Sequence, residues 1–82
     1  QFKKDYKKCV KRGLDMNLLK SIIATLAIPA ALSEKNLDHN LKGNYKNYRE
    51  CHISPDWLLI YRYNEEYSEL FRTGTHSDLF KE

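Results

Sequence analysis

Eighty-two residues make one domain with a modest core. With 41% apolar, 30% charged and 12% aromatic residues, the chain is too apolar and aromatic for disorder. The longest uncharged run, Ser21 to Ser33, is thirteen residues interrupted by Pro29. That is short of the ~20 a membrane-spanning helix needs, and no basic segment followed by an apolar run opens the chain as a signal peptide. The net charge of +3 is uneven: residues 1–20 hold seven Lys/Arg against two Asp, residues 21–60 four against four, and residues 61–82 three against five. A basic first quarter suits a polyanion or an acidic protein partner, and equally the solvated face of an amphipathic helix. Cys9 and Cys51, with no CxxC, do not make a disulfide framework and read as free thiols in a reducing compartment.

The elements follow in chain order, with no internal repeat or linker. Phe2, Tyr6, Cys9 and Val10 fall on one face of a helix that Gly13 stops. Asp15 caps a second helix with a wide stripe of Leu18, Leu19, Ile22, Ile23 and Leu26, and Pro29 ends it. The short connection makes the two an antiparallel hairpin. Periodicity then changes: Ser33 to Asn44 reads as a polar loop, Tyr48 to Ile53 as a strand, Ser54-Pro55-Asp56 as a turn, and Trp57 to Tyr63 as a second strand. That second strand is nearly continuously apolar, which places it centrally in a sheet. Asn64-Glu65-Glu66 turns the chain into a third strand, Ser68 to Thr73, and Gly74 allows a break before a short terminal turn, Ser77 to Phe80. The pattern αα then βββ predicts an α+β fold, a two-helix antiparallel hairpin packed on a small antiparallel sheet, as one domain over residues 1–82.

Three histidines lie away from core positions: His39 in the loop, His52 near a strand end and His76 just after a strand, with Asp56 four residues beyond His52. Strands of about six residues bring the first hairpin turn and the 74–76 segment to neighbouring edges of one sheet. Imidazoles titrate near pH 6.5 and exchange protons at neutral pH, so this group is a candidate acid–base site. A solvated histidine is the bland alternative for each. A metal site would draw on His39, Cys51, His52 and His76, but their spacing matches no HxxxH or CxxC pattern, and adjacent Cys51 and His52 point to opposite sheet faces. Arg49 and Arg72 are candidate phosphate-binding groups, with ion pairs to Glu50 or Glu69 as the alternative. Trp57 and Phe80 could stack on bases, Trp57 being equally suited to the core.

Three stretches carry a resemblance. Asp38-His39-x-Leu41-x-Gly43, Tyr48-Arg49-x-x-His52-x-x-Pro55-Asp56-Trp57-x-Leu59-Ile60-Tyr61 and Arg72-Thr73-Gly74-Thr75-His76-x-x-Leu79-Phe80 closely resemble the YafQ-type toxins of the RelE/ParE superfamily, found in bacterial type II toxin–antitoxin systems. The match runs from Asp38 to Phe80, about half the chain, in one order and spacing. The resemblance implies a RelE-like fold and a cytoplasmic bacterial endoribonuclease that cuts mRNA in the A site of the 70S ribosome. It also implies no metal or other cofactor, because the RNA's own 2′-OH is the nucleophile. Such relatives begin with a short strand before the first helix. Here Gln1-Phe2 already enters that helix, so the strand lies outside this chain or the sheet lacks an edge.

Carried onto matching positions, the catalytic set is His39, His52, Asp56 and His76, with Trp57 and Phe80 near the substrate. The resemblance further implies an acidic antitoxin that covers the site, and operator DNA bound only through the toxin–antitoxin complex. Lys3, Lys4, Lys7, Lys8 and Lys11 on the first helix are the expected ribosomal RNA contacts. The expected chemistry has Asp56 or His52 withdrawing the 2′-OH proton, His76 protonating the 5′-oxygen, and His39 with Arg72 or Arg49 stabilising the charged phosphorane. Two alternatives remain open on sequence grounds: a ParE-like toxin that binds a topoisomerase without cutting RNA, and a non-catalytic RNA- or protein-binding module.

Overall fold

The structure is a computed structural model that describes residues 1–27, 32, 34–63 and 68–80. The expected helix stop at Pro29 and the turn at Asn64-Glu65-Glu66 lie outside the described residues. Helix α1 spans Phe2–Lys11. It ends because Gly13 takes a left-handed φ of 76°, which lets the Gly13 and Leu14 N–H groups reach the Val10 and Cys9 carbonyls. Helix α2 spans Met16–Ala27, and the Asp15 carboxylate accepts the Asn17 N–H at its start. The inward faces differ from the expected stripes at two positions. Val10 and Leu18 are largely exposed, while Asp5 is buried on α1 beside Cys9.

Four strands, β1 (His39–Asn40), β2 (Arg49–Ser54), β3 (Trp57–Tyr63) and β4 (Ser68–Gly74), form one antiparallel sheet in the order β1-β2-β3-β4. A short helix α3 follows at His76–Phe80. The expected 33–44 loop therefore contains a two-residue edge strand, flanked by 3₁₀ turns at Glu34–Asn36 and Gly43–Tyr45. Two residues are too few to show an alternation of apolar and polar side chains, so the strand leaves no periodic trace in the sequence.

Strand β3 is central, and both its faces are covered. Cys51, Ile53, Trp57, Leu59 and Tyr61 join Cys9, Leu19 and Leu26 beneath the helices. On the opposite face Leu58 and Ile60 pack with Leu79, and with partly buried Leu41, Tyr48, Phe71 and Phe80. Double burial explains the unbroken apolar run Trp57 to Tyr61. It also means that α3 and its aromatic neighbours cover only part of the second face, and the histidines lie beside that partial cover.

Candidate active site

Alternation along β2 sends Cys51 and Ile53 to the helices and Glu50 and His52 to the second face. In register, His39 of β1 stands opposite Glu50, and Leu58 of β3 opposite His52. The His39 and His52 ring centroids are 6.5 Å apart, and those of His52 and His76 5.8 Å. Glu50, 5% exposed, sits between the first two: its Oε1 lies 3.6 Å from His39 Nε2 and 3.5 Å from His52 Nε2. Asp56, on the turn joining β2 to β3, reaches His76 from the other side. One carboxylate oxygen accepts both the His76 backbone N–H at 3.1 Å and the ring Nδ1–H at 2.7 Å. These bonds hold the Asp56 carboxyl below the usual carboxylate range.

The partners assign the protons. A carboxylate only accepts, so His76 Nδ1 carries hydrogen. His39 Nδ1 likewise donates, at 2.6 Å, to the Leu37 carbonyl, which turns its Nε2 toward Glu50. Leu37 sits at φ 49°, an uncommon left-handed conformation for a leucine, next to the residues that present His39. Asp56 is thus placed to orient the His76 ring. Of the two bases expected for the 2′-OH, His52 is the one whose ring lies beside a buried carboxylate.

The expected residues divide clearly. His39, His52, Asp56 and His76 come together, and Glu50 joins them. Glu50 went unrecognised as a site residue, although its place two residues before His52 on a strand already put the two on one face. Arg49 is spent on the edge strand: its guanidinium grips the Asp38 carboxylate at 2.8 and 3.2 Å and the Asn40 side-chain oxygen at 2.6 Å. The buried Tyr61 hydroxyl also donates to Asp38. Of the expected ion-pair partners, Glu69 is taken by Arg62, whereas Arg72 is bound to the buried Asp5 of α1 at 2.7 and 3.2 Å. Arg72 therefore braces α1 against β4, where phosphate binding was expected. Trp57 is 3% exposed and its indole N–H donates to Thr73 Oγ1 at 3.0 Å, so it is core and bears on the site through the turn it follows. Phe80 is half-buried, edge-on to Tyr45 with centroids 6.0 Å apart. Lys3, Lys4, Lys7, Lys8 and Lys11 are exposed along α1, and Lys8 reaches Asp78 at 3.1 Å.

One trio also suits a divalent cation. Glu50, His52 and His76 each offer a donor atom, all within 4.8 Å of one another. Two imidazoles and a carboxylate are a common set for transition metals. The trio differs from the four residues considered on sequence grounds: Cys51 lies on the opposite face, fully buried, its thiol pushed up to about 12 chiefly by desolvation. Cys9 and Cys51 are both free and buried.

Fold and site together define a small α+β domain with a histidine–carboxylate cluster on a partly covered sheet face, equipped to move protons. A sequence model of the family described as bacterial toxin of type II toxin-antitoxin system, YafQ, matches residues 1–81. The mRNA interferase toxin YafQ of Escherichia coli is 42% identical over 85 residues, covering 98% of this chain and 88% of that protein. The E. coli DinJ–YafQ toxin–antitoxin complex matches with a TM-score of 0.89 at 43% identity, over 98% of this chain and 89% of that one. A copper-bound mutant toxin from Helicobacter pylori matches with a TM-score of 0.91 at 42% identity, over 96% and 90%. The chain belongs to the YafQ family of bacterial type II toxins.

Proposed function

We propose that this chain is an mRNA-cleaving toxin, an endoribonuclease acting on mRNA in the ribosomal A site and held inactive by an acidic antitoxin. The observation that carries the reading is the Asp56–His76 pair facing His52 and Glu50 across one sheet face. It supplies a proton acceptor and a proton donor on neighbouring imidazoles, as an internal 2′-OH attack requires. The E. coli relative's name as an mRNA interferase and the DinJ–YafQ complex support the substrate and the antitoxin partner.

In this mechanism His52 takes the 2′-OH proton as the oxygen attacks the adjacent phosphorus, and Glu50 stabilises the imidazolium that forms. The P–O5′ bond breaks as His76 Nε2 gives its proton to the leaving oxygen, with Asp56 holding the ring. His39 stabilises charge on the phosphorane. The products are a 2′,3′-cyclic phosphate and a 5′-OH. Each positioned acid or base contributes about 10²–10⁴ in rate. A divalent ion held by Glu50, His52 and His76 would supply Lewis-acid polarisation of a phosphoryl oxygen; the proton transfers above use only this chain's side chains.

The exposed lysines of α1 supply the salt-dependent attraction to ribosomal RNA. Operator DNA is bound only through the toxin–antitoxin complex, and the setting is the bacterial cytoplasm.

The test is a translating ribosome system with one defined mRNA and mapped 5′ ends, run beside His76→Ala. Cuts at in-frame positions, absent from the variant and from ribosome-free mRNA, and abolished by a 2′-deoxy nucleotide at the cut site, are expected. Absence of cuts with folded wild-type protein would overturn the reading in favour of a binding toxin or an RNA-binding module.

A further inference from the structure

His76 is held from two sides, and the second involves a residue that the chemistry above does not use. Thr75 and Asp78 form a reciprocal cap at the start of α3: the Asp78 N–H donates to Thr75 Oγ1 at 3.1 Å, and the Thr75 N–H donates to Asp78 Oδ2 at 3.0 Å. The same carboxylate takes two bonds from Arg12, at 2.6 and 3.1 Å, and one from Lys8 at 3.1 Å. Those cations belong to the end of α1, more than sixty residues away in sequence. Gly74 makes room for the arrangement. A Cβ there would lie 2.9 Å from Asp78 Oδ2, and its φ of 157° disfavours other residues.

We propose that Asp78 is a positioning residue that fixes the His76 turn to helix α1 and so sets the reach of the imidazole toward the scissile phosphate. The inference rests on the reading of His76 as the proton donor. The physical case is that α3 is only five residues long and cannot hold its own first turn by helix cooperativity. The turn's geometry must be imposed from outside. Asp56 fixes the ring and one backbone N–H, and buried Leu79 seats α3 against Leu58 and Ile60; the tie from the turn to α1 is a further anchor. Asp78 provides the anchor, with a planar two-bond grip from Arg12 that resists rotation better than a single contact. A misplacement of about 1 Å is enough to cost up to about a hundredfold in rate.

The test uses two variants with opposite chemistry. Asp78→Asn keeps an acceptor for the Thr75 N–H and removes the charge Arg12 grips. Arg12→Gln removes the grip from the far side and leaves the turn's own sequence intact. In single-turnover cleavage, kcat should fall about tenfold in each with KM within about a factor of two. The double variant should be no worse than Asp78→Asn alone, because both remove one contact. Imidazole NMR of the free proteins provides the second readout: the His76 Nδ1–H signal, protected by Asp56, should broaden in both variants while the His39 and His52 signals stay in place. An unchanged His76 signal and kcat in folded Asp78→Asn would overturn the proposal, as would a loss spread equally over all three histidines. If wild-type protein does not cut mRNA, the functional reading fails, and the NMR comparison still decides whether Asp78 positions His76.

Discussion

Replacing Asp56 by Asn tests the division of labour among the site's acids and bases most directly. The change is nearly isosteric and acts on an exposed group, since the Asp56 side chain is 66% accessible. An exposed ion pair adds little to folding, so the melting temperature should barely move. Catalysis should respond strongly. The carboxylate holds hydrogen on His76 Nδ1, and in the proposed mechanism Nε2 serves the substrate. An Asn amide can instead present an N–H to Nδ1, which pushes the proton to Nε2 in a neutral ring and removes the charge that stabilises the imidazolium.

A complete general acid contributes about 10²–10⁴ in rate, so His76→Ala should forfeit that whole range and Asp56→Asn about 10–10²-fold of it. Single-turnover cleavage of a defined mRNA on stalled ribosomes measures both. The decisive comparison is the double variant: if Asp56 acts only through His76, adding Asp56→Asn to His76→Ala costs nothing more. A further loss in the double variant as large as in the single would refute the orienting role and restore Asp56 as an independent base. Unchanged activity in Asp56→Asn would refute any role.

Other consequences are read first from stability. Gly74→Ala drives a Cβ to 2.9 Å from the Asp78 carboxylate at an unfavourable φ. The strain should cost about 2 kcal/mol, a fall of roughly 10 °C in Tm at this size, read by thermal unfolding; an unchanged Tm would show that the α3 turn moves aside freely. Tyr61→Phe removes a donor from a fully buried ring to Asp38. It should cost about 1 kcal/mol and lower cleavage several-fold, because the Asp38–Arg49 pair presents the strand that carries His39. Burial raises the Cys51 thiol to about 12, above its unfolded value of about 8.5. Its contribution to stability is therefore fully present below pH ~8.5 and lost as pH rises toward its folded value, by up to ~1.4 kcal/mol per pH unit. Urea unfolding at pH 7, 9 and 10 should show this decline, and Cys51→Ala should make it shallower without removing it, because burial raises the Cys9 thiol in the same direction.

The long elements were legible from the sequence because each carries its own local signal. The apolar run Trp57 to Tyr61 announced a doubly covered strand, and Gly13 and Asp15 marked the break between the helices. Features built from distant partners were not legible. The strand His39–Asn40 exists because Arg49 and Tyr61 tie down Asp38, and no periodicity reports that. Asp5 borders the apolar face of α1, and its charge is buried there because Arg72 and the Thr73 N–H meet it. Arg49 and Arg72, the expected phosphate-binding groups, are likewise engaged by carboxylates that lie far from them in sequence. The histidines were readable as a group because hairpin connectivity brings strand ends together. Glu50 escaped because a carboxylate within a strand usually faces solvent, and here the opposed His39 and neighbouring His52 close over it.

The overlap between proton transfer and metal ligation at Glu50, His52 and His76 leads to a last expectation. A metal ligand must present a free lone pair, and the imidazoles that would hold a cation are the ones that pass protons. Proton transfer and metal binding therefore compete for the same nitrogens. Added Cu²⁺, a metal well matched to imidazole and carboxylate donors, should inhibit cleavage, and EDTA equimolar with the copper, which spares the ribosome's Mg²⁺, should restore it. Lowering the pH should weaken the metal's hold, since the ligands protonate. Glu50→Gln removes the only charged ligand and should weaken Cu²⁺ binding, measured by calorimetry on the free protein, by about ten- to a hundredfold. Acceleration of cleavage by Cu²⁺ would contradict an acid–base mechanism run by these side chains. Copper affinity unchanged in Glu50→Gln would place the ion elsewhere, and Glu50 would then be left with its role beside His52 alone.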